Sequence, residues 1–373
     1  MGATFFSPVE AGEDASASCR RVGCSLADWG TTGELTAMLG RLAALVANPH
    51  ETTATYERRR LRALVALRLS AQNGTIALER NAYALAFGTS RDGEIDASSP
   101  GPPIEELERT RDSLIYPANA TLFVAGDTSL EETRRAVESV FAAWAAKGIE
   151  AVSDDSQAAT EDRPGVVLIP WGGVTQTFAD VVARGPSRDD NDAPAFVLAT
   201  EILGGGSSSA ANRAVREEMA AAYALGENVS WFETGSVLSL GGALEEGKAV
   251  DALRSLLGAL RELRREGPSE KDVQRAKTTL RARVRHLHSS SAGVALLLSQ
   301  SVWSNAQLDG CHFANLVLAT SAADVHRAAT KYFAEGSLHV VALGSPDEVG
   351  FDLPSLGLGP VRLRDGFARD VKR

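Results

Sequence analysis

Apolar positions recur at helical spacing early in the chain. Leu35, Leu39, Leu42 and Leu45, with Thr31 and Thr32 ahead as caps and Asn48-Pro49 behind as a stop, predict an amphipathic helix from Gly33 to Val46. A second, strongly basic helix is expected from about Thr55 to Ala71, with Leu61, Leu64, Val65 and Leu69 on one face, Arg68 interrupting it, and Arg59, Arg60 and Arg62 on the wet side. The Ser, Pro and Gly run from Ala97 to Pro103 reads as a loop before a helix at Ile104 to Leu114. After Tyr116-Pro117-Ala118-Asn119 comes a short β-rich run, Ala120 to Ala125, then a turn at Gly126-Asp127 and a helix from about Leu130 to Ala145. The same order returns near the end: a helix from Ala323 to Phe333, the turn Ala334-Glu335-Gly336, a strand from Leu338 to Leu343, and a Gly344-Ser345 turn.

Between these repeats the pattern changes. Ala146 to Pro164 is rich in Asp, Glu, Ser, Gln and Ala and too poor in large apolar residues to order itself, so residues 148–164 read as a linker. Beyond it, Val166 to Ile169 and Thr175 to Ala183 read as strands, and Pro194 to Leu203 as a helix ending in Gly204-Gly205-Gly206. Two alternating runs, Ala222 to Phe232 and Ser236 to Leu244, predict an antiparallel pair turning at Glu233-Thr234-Gly235. Helices follow from Ala249 to Arg265 and from Ser269 to about His288. The expected fold is α+β: two related lobes, at 1–147 and 165–350, each an antiparallel sheet covered on one face by helices, with a tail at 351–373.

Composition narrows the function classes. A formal net charge of -10 argues against nucleic acid as a partner. No stretch approaches the roughly 20 apolar residues of a membrane span. Cys19, Cys24 and Cys311 are too few for a disulfide framework and wrongly grouped for structural zinc, so they read as free thiols. The first residues, Met-Gly-Ala-Thr-Phe-Phe-Ser, show neither a basic region nor an apolar run, which makes the cytoplasm the default compartment.

The most informative stretch runs Ile202-Leu203-Gly204-Gly205-Gly206-Ser207-Ser208-Ser209 and on through Arg216 to Tyr223. By spacing alone, Arg216 fits a solvated helix residue and Tyr223 a core strand residue. The glycines fit either a helix cap and turn or the lining of a cleft, without the Gly-Lys-Ser/Thr of a nucleotide loop. Ser207, Ser208 and Ser209 have no His at a spacing that would make one a nucleophile. The order of features adds what spacing does not. This stretch resembles the second-lobe signature of the insulinase/pitrilysin-type (inverzincin) zinc metallopeptidases: a Leu-Gly-Gly-Gly turn, a Ser-containing helix, then Arg followed seven residues later by Tyr. Tyr116 to Asn119, Gly126-Asp127, Phe141, Trp144, the Thr-Gln176-Thr strand and Ala276-Lys277 resemble other parts of the family in the same order, so the resemblance runs from about residue 2 to 350. It implies that Arg216, Tyr223 and the glycine turn hold the backbone of a peptide substrate, where a charged fork and a phenol can stabilise an oxyanion.

The departures bear on the metal. The family's His-x-x-Glu-His helix has no counterpart: the six histidines are His50, His286, His288, His312, His326 and His339, and no pair has the His-x3-His separation. The resemblance aligns Glu57 with the first of two glutamates seven apart, and the second, a zinc ligand in the family, falls on Leu64. Gly2-Ala3-Thr4 resembles the family's stretch immediately after the missing helix. The first lobe is therefore expected to be shortened, and an export signal lost with that part would make the periplasm the alternative compartment. The resemblance implies a non-catalytic subunit of the mitochondrial-processing-peptidase-like group, with no metal or cofactor of its own, paired with a zinc-bearing sister subunit that cuts a peptide substrate. The alternatives are a scaffold or peptide-binding subunit with no role in proteolysis, and a truncated remnant.

Overall fold

A computed structural model describes residues 15–20, 23–47, 52–88, 101–144, 164–173, 176–232, 234–303, 310–347, 349–350 and 352–371 of the chain. They fall in two compact units, one drawn from Met1–Ser70, Asp96–Gln157 and Ser289–Ser299, the other from Ala71–Ile95, Ala158–His288 and Gln300–Arg373. All but the last residue of the expected linker at 148–164 lies outside the described residues.

In the first unit, β1 (Ala15–Arg20) and β2 (Gly23–Asp28) form an antiparallel hairpin in which Cys19 stands opposite Cys24. Cys24 is disulfide-bonded, so the expectation of free thiols fails at this position. Helix α1 (Leu35–Ala47) starts where the threonines place it, after a 3-10 turn closed by a capping box between Thr31 and Glu34. Arg41 on α1 grips Asp28 at the end of β2 through Nε, 2.7 Å from Oδ2, and Nη2, 3.1 Å from Oδ1. Helix α2 (Thr53–Ala71) forms as predicted but turns a different side inward. Tyr56 and Leu67 are buried, while Leu61, Val65 and Leu69 are exposed by 57, 53 and 57%. Arginines at 58, 59, 60, 62 and 68 break the apolar stripe too often for it to fix the buried face. Helices α4 (Ile104–Leu114) and α5 (Leu130–Phe141) occupy their expected places, the latter through a Ser129/Glu132 capping box. The run Ala120 to Ala125 forms no strand, contrary to expectation: among the described residues it has no neighbouring strand to take up its backbone groups, and Leu122 faces solvent.

Helix α3 (Gly74–Phe87), which no periodicity marked out, belongs to the second unit. There a six-stranded sheet runs in the order β5 (Ala222–Phe232), β6 (Gly235–Glu245), β4 (Gln176–Gly185), β7 (Leu338–Gly344), β3 (Gly165–Pro170) and β8 (Val361–Leu363). The expected antiparallel pairs are present, but the sheet is mixed, because β3 lies parallel to both β7 and β8. One face carries α6 (Ala193–Gly204), α7 (Ala249–Glu266), α8 (Glu270–His288) and α11 (Ala322–Tyr332) over Val166, Leu168, Val181, Leu238, Leu240, Val340 and Ala342. Helices α9 (Ser291–Trp303) and α10 (Gly310–Ala319) link α8 to α11 in the chain.

The opposite face is covered too. Ala77, Leu78, Leu85 and Phe87 of α3 pack on Val167, Ile169, Val182, Val341 and Leu343. Burial on both faces accounts for the unbroken apolar run of β3 and for that of β7, which only the buried His339 interrupts, since a strand with one wet face would alternate. Residues 364–370, within the stretch expected to be a tail, close over α3. The Asn81 amide donates to the Asp365 carbonyl at 3.1 Å, Arg80 donates to that of Gly366 at 3.3 Å, and the Arg80 guanidinium lies over Phe367. No helix of the described residues is long and apolar enough to cross a membrane.

Candidate functional site

The stretch singled out in the sequence forms one connected turn system in the second unit. Helix α6 ends at Gly204, with the Gly205 amide donating to the Glu201 carbonyl at 2.8 Å and Gly206 in the left-handed region at φ +86°. The chain then re-enters a helical path that widens into a π-turn over Asn212–Glu217, with the Glu218 amide reaching the Arg213 carbonyl at 3.1 Å. Val215 is fully buried and anchors this turn, leaving Arg216 exposed beside it with no hydrogen bond or ion pair among the described residues. After Ala220, at φ +49°, the chain enters β5, where the register against β6 shifts between Ala222 and Leu225. Tyr223 lies in that bulge, a device that re-aims a strand side chain. Its side chain is outside the described residues.

Asn212 holds these parts together. Its buried side-chain amide donates to the carbonyls of Gly206 at 3.1 Å and Leu225 at 2.8 Å, and its Oδ1 accepts from the Leu225 amide at 3.1 Å. One side chain thus fixes the glycine turn and the β5 bulge from within the π-turn that carries Arg216. The sequence pattern did not single it out, although it is a polar residue only four positions before Arg216.

Gly204 and Gly205 are small for a packing reason. A Cβ on Gly204 would come within 2.7 Å of both Glu227 Cβ and Leu240 Cδ1, and one on Gly205 within 2.1 Å of Glu201 Oε1. Each glycine thus abuts a carboxylate residue. Arg283 of α8 lies 3.2 Å from Glu201 Oε2 and 3.8 Å from Glu227 Oε1, while neither oxygen of the buried Glu201 has an aligned hydrogen-bond partner. Burial pushes the Glu227 carboxyl up to about 7, and the adjacent Glu201 adds to the shift. Burial raises Glu201 as well, opposed by Arg283. Near neutral pH the pair thus carries a proton for part of the time, and a protonated Glu227 supplies the donor that Glu201 otherwise lacks. The sequence cue was a glutamate inside the apolar helix Ala193–Gly204, since an ionisable group seldom lies buried there without a partner.

The residues that the resemblance aligns with a zinc site do not fit one. Glu57 is engaged by Arg60 at 2.7 Å, and Leu64, half-buried on α2, offers no lone pair. Among the described residues no group of three His, Cys, Asp or Glu side chains is placed to hold a metal ion. His286, His288 and His312 are exposed, His326 Nε2 lies 2.9 Å from the Arg264 carbonyl, His339 is buried in β7, and His50 lies outside the described residues.

A family model described as the peptidase M16 inactive domain matches residues 103–280. Among solved structures, the fold is shared with a protease from Helicobacter pylori at 16% identity, covering 90% of this chain and 83% of that one, with a TM-score of 0.76. A peptidase M16 inactive domain from Pseudomonas fluorescens aligns at 18% identity over 89% of this chain and 80% of that one, with a TM-score of 0.74. A chain of complex III2 from Candida albicans aligns at 11% identity over 94% and 87%, also at 0.74. No curated protein matches the sequence.

Proposed function

As a member of the M16 peptidase family, matched to that family's inactive domain over residues 103–280, this chain is, we propose, the non-catalytic subunit of a two-chain zinc peptidase. It presents Arg216, Tyr223 and the Gly204–Gly206 turn to a peptide that a zinc-bearing sister chain cuts. The observation that carries this reading is Arg216 itself: an exposed guanidinium, without a partner among the described residues, on a turn held by a buried asparagine. A cation kept unpaired on a fixed support is suited to an oxyanion or a peptide carbonyl that arrives from outside. Zinc belongs to the sister chain in this reading, because Leu64 stands where a ligand would be required.

The test begins with native mass spectrometry of the tagged chain recovered from its own cells. A second chain of similar size arriving with zinc is the expected result. Arg216→Ala should then lower kcat/KM of the assembled complex by about 100-fold, the effect of losing one oxyanion donor, and Tyr223→Phe should lower it as well. Assembly should be unaffected. Unchanged turnover in both variants overturns the reading.

A second reading, a structural or peptide-binding subunit without a role in proteolysis, draws support from the fold shared with a chain of complex III2. It predicts a stable assembly without zinc, in which Arg216→Ala alters no reaction rate.

A further inference from the structure

A second guanidinium in the same unit is held in position without an anionic partner among the described residues. Arg188 follows β4 in a tight turn closed by the Asp190 amide on the Ser187 carbonyl at 3.2 Å. Its Cζ lies 4.4 Å from the ring centre of Phe313 on α10 and 5.4 Å from that of Trp231 near the end of β5. The two rings are themselves 6.4 Å apart and nearly perpendicular. These three separations put the rings on two adjoining sides of the guanidinium, close to a right angle, and not on opposite faces. The result is an aromatic corner that fixes the cation and leaves the rest of its N–H fork uncovered by those rings. Arg188, Trp231 and Phe313 are each only part-buried, so solvent reaches the corner.

The lack of a partner is not for want of carboxylates. Asp189, Asp190 and Asp192 are on the same loop in a chain of net charge -10. Asp190 uses its carboxylate to accept from the Asp192 amide at 2.8 Å. Asp192 is taken by Lys331 at 2.8 Å, with Tyr332 and Arg327 beside it. Asp189 is exposed and makes no ion pair with Arg188. Burial alone draws the Arg188 pKa below its ordinary value, with no nearby charge to offset it, a cost that an incoming anion would relieve.

We propose that Arg188, Trp231 and Phe313 form a binding site for the carboxylate of a peptide, with the two rings receiving the apolar group next to it. The planar N–H fork matches a carboxylate edge-on, and the rings favour an aliphatic or aromatic neighbour. A dianionic phosphate suits the corner less well, because three aspartates flank it in sequence and would repel the second charge. The carboxylate can come from a peptide C-terminus or from an Asp or Glu side chain. The site uses neither Arg216 nor Tyr223 nor the glycine turn, and its test needs no peptidase activity.

The test is titration calorimetry of the full chain with three blocked peptides: acetyl-Ala-Ala-Ala-Phe as the free acid, the same peptide as its amide, and the amide with Glu replacing the third Ala. The free acid should bind about tenfold or more tightly than the plain amide, the margin expected for a charge-assisted pair. Tight binding of the Glu amide would assign the source to acidic side chains, and weak binding to the C-terminus; either result supports the site. In Arg188→Gln the advantage of the carboxylate peptides should vanish at an unchanged melting temperature, and Arg188→Lys, charged but without the fork, should recover part of it. Should Arg188→Gln fail to fold, competition decides on the wild-type chain, where millimolar acetate should displace the peptide at least as well as inorganic phosphate. Equal binding of all three peptides, no binding of any peptide, a preference that survives in Arg188→Gln, or stronger displacement by phosphate each overturns the proposal.

Discussion

Asn212 and Leu225 exchange two hydrogen bonds across thirteen residues of sequence, Nδ2 to the Leu225 carbonyl at 2.8 Å and the Leu225 amide to Oδ1 at 3.1 Å. A side-chain amide here substitutes for a neighbouring strand at the point where β5 is bulged and its ladder interrupted. Removing it leaves a buried N–H and a buried C=O on Leu225 unsatisfied, and frees the Gly206 carbonyl. Asn212→Ala should therefore cost about 2–4 kcal/mol, at one to three kcal/mol per stranded buried group with partial rescue by water. Asn212→Asp should cost at least as much, since it keeps the acceptor, loses both donors and adds a buried charge. Urea denaturation checks the total. Hydrogen exchange checks the location: the Leu225 amide should lose protection before the β4 and β7 amides do.

The glycine turn predicts a graded series. Gly204→Ala and Gly205→Ala bring a methyl group against Glu227, Leu240 and the Glu201 carboxyl at distances that no Cβ tolerates, so each should destabilise by about 1–3 kcal/mol or more. Gly206 is exposed with open space around it, and its only demand is φ +86°. Gly206→Ala should cost about 1 kcal/mol, the penalty for a left-handed alanine. Thermal melts of the three variants check the ranking, which inverts if the turn needs conformational freedom more than room.

How much of this was legible in the sequence depends on which signal each element carried. Helices with one apolar face, such as Ala249–Glu266 and Ala322–Tyr332, and the antiparallel pair β5 and β6 fall within a residue or two of their predicted ends, because one buried face imposes one period. Helix α3 carried no such signal. Its inward face is built largely of alanine and its other side buries Arg80 and Asn81 under the C-terminal segment, so it has no polar stripe to set against an apolar one. The continuous run Val166–Ile169, and Leu338–Leu343 with His339 as its one polar residue, were the available hint that a second layer had to cover the sheet. The Ile202–Tyr223 stretch, proposed above to hold a peptide, stood out in the sequence by its order of features, but the residues that support its turns did not. Asn212, Glu201, Glu227 and Arg283 come from four different elements, and only folding brings them together.

The second layer predicts a stability link. Leu85 is 1% exposed between α3 and the sheet. Leu85→Ala should cost about 2–5 kcal/mol, as for other fully buried leucines. Because α3 and β7 share one core, the loss should appear in the transition that melts the second unit. Exchange rates of the α3 and β7 amides should rise together in this variant. If α3 exchanges early and β7 is unaffected, the helix is a peripheral cover and not part of the core.

The carboxyl pair predicts a pH dependence of defined sign. Glu227 titrates at about 7 in the folded chain against an ordinary value of 4.5. A carboxyl raised on folding binds its proton more tightly in the native state, so its contribution is fully present below about 4.5 and is lost as pH rises through about 7. At 1.36 kcal/mol per pKa unit the full swing is about 3 kcal/mol at most. Other carboxylates titrate in the same range, so the informative quantity is the difference in unfolding free energy between wild type and Glu227→Gln. Glutamine retains the shape and a donor toward Glu201 but cannot ionise. Wild type should match or exceed the variant at pH 5 and fall behind it by about 2–3 kcal/mol at pH 8. Arg283→Gln should steepen the loss, because the cation near both carboxyls, 3.2 Å from Glu201 and 3.8 Å from Glu227, would be gone. A difference that stays flat from pH 5 to 8 would mean that Glu227 ionises freely.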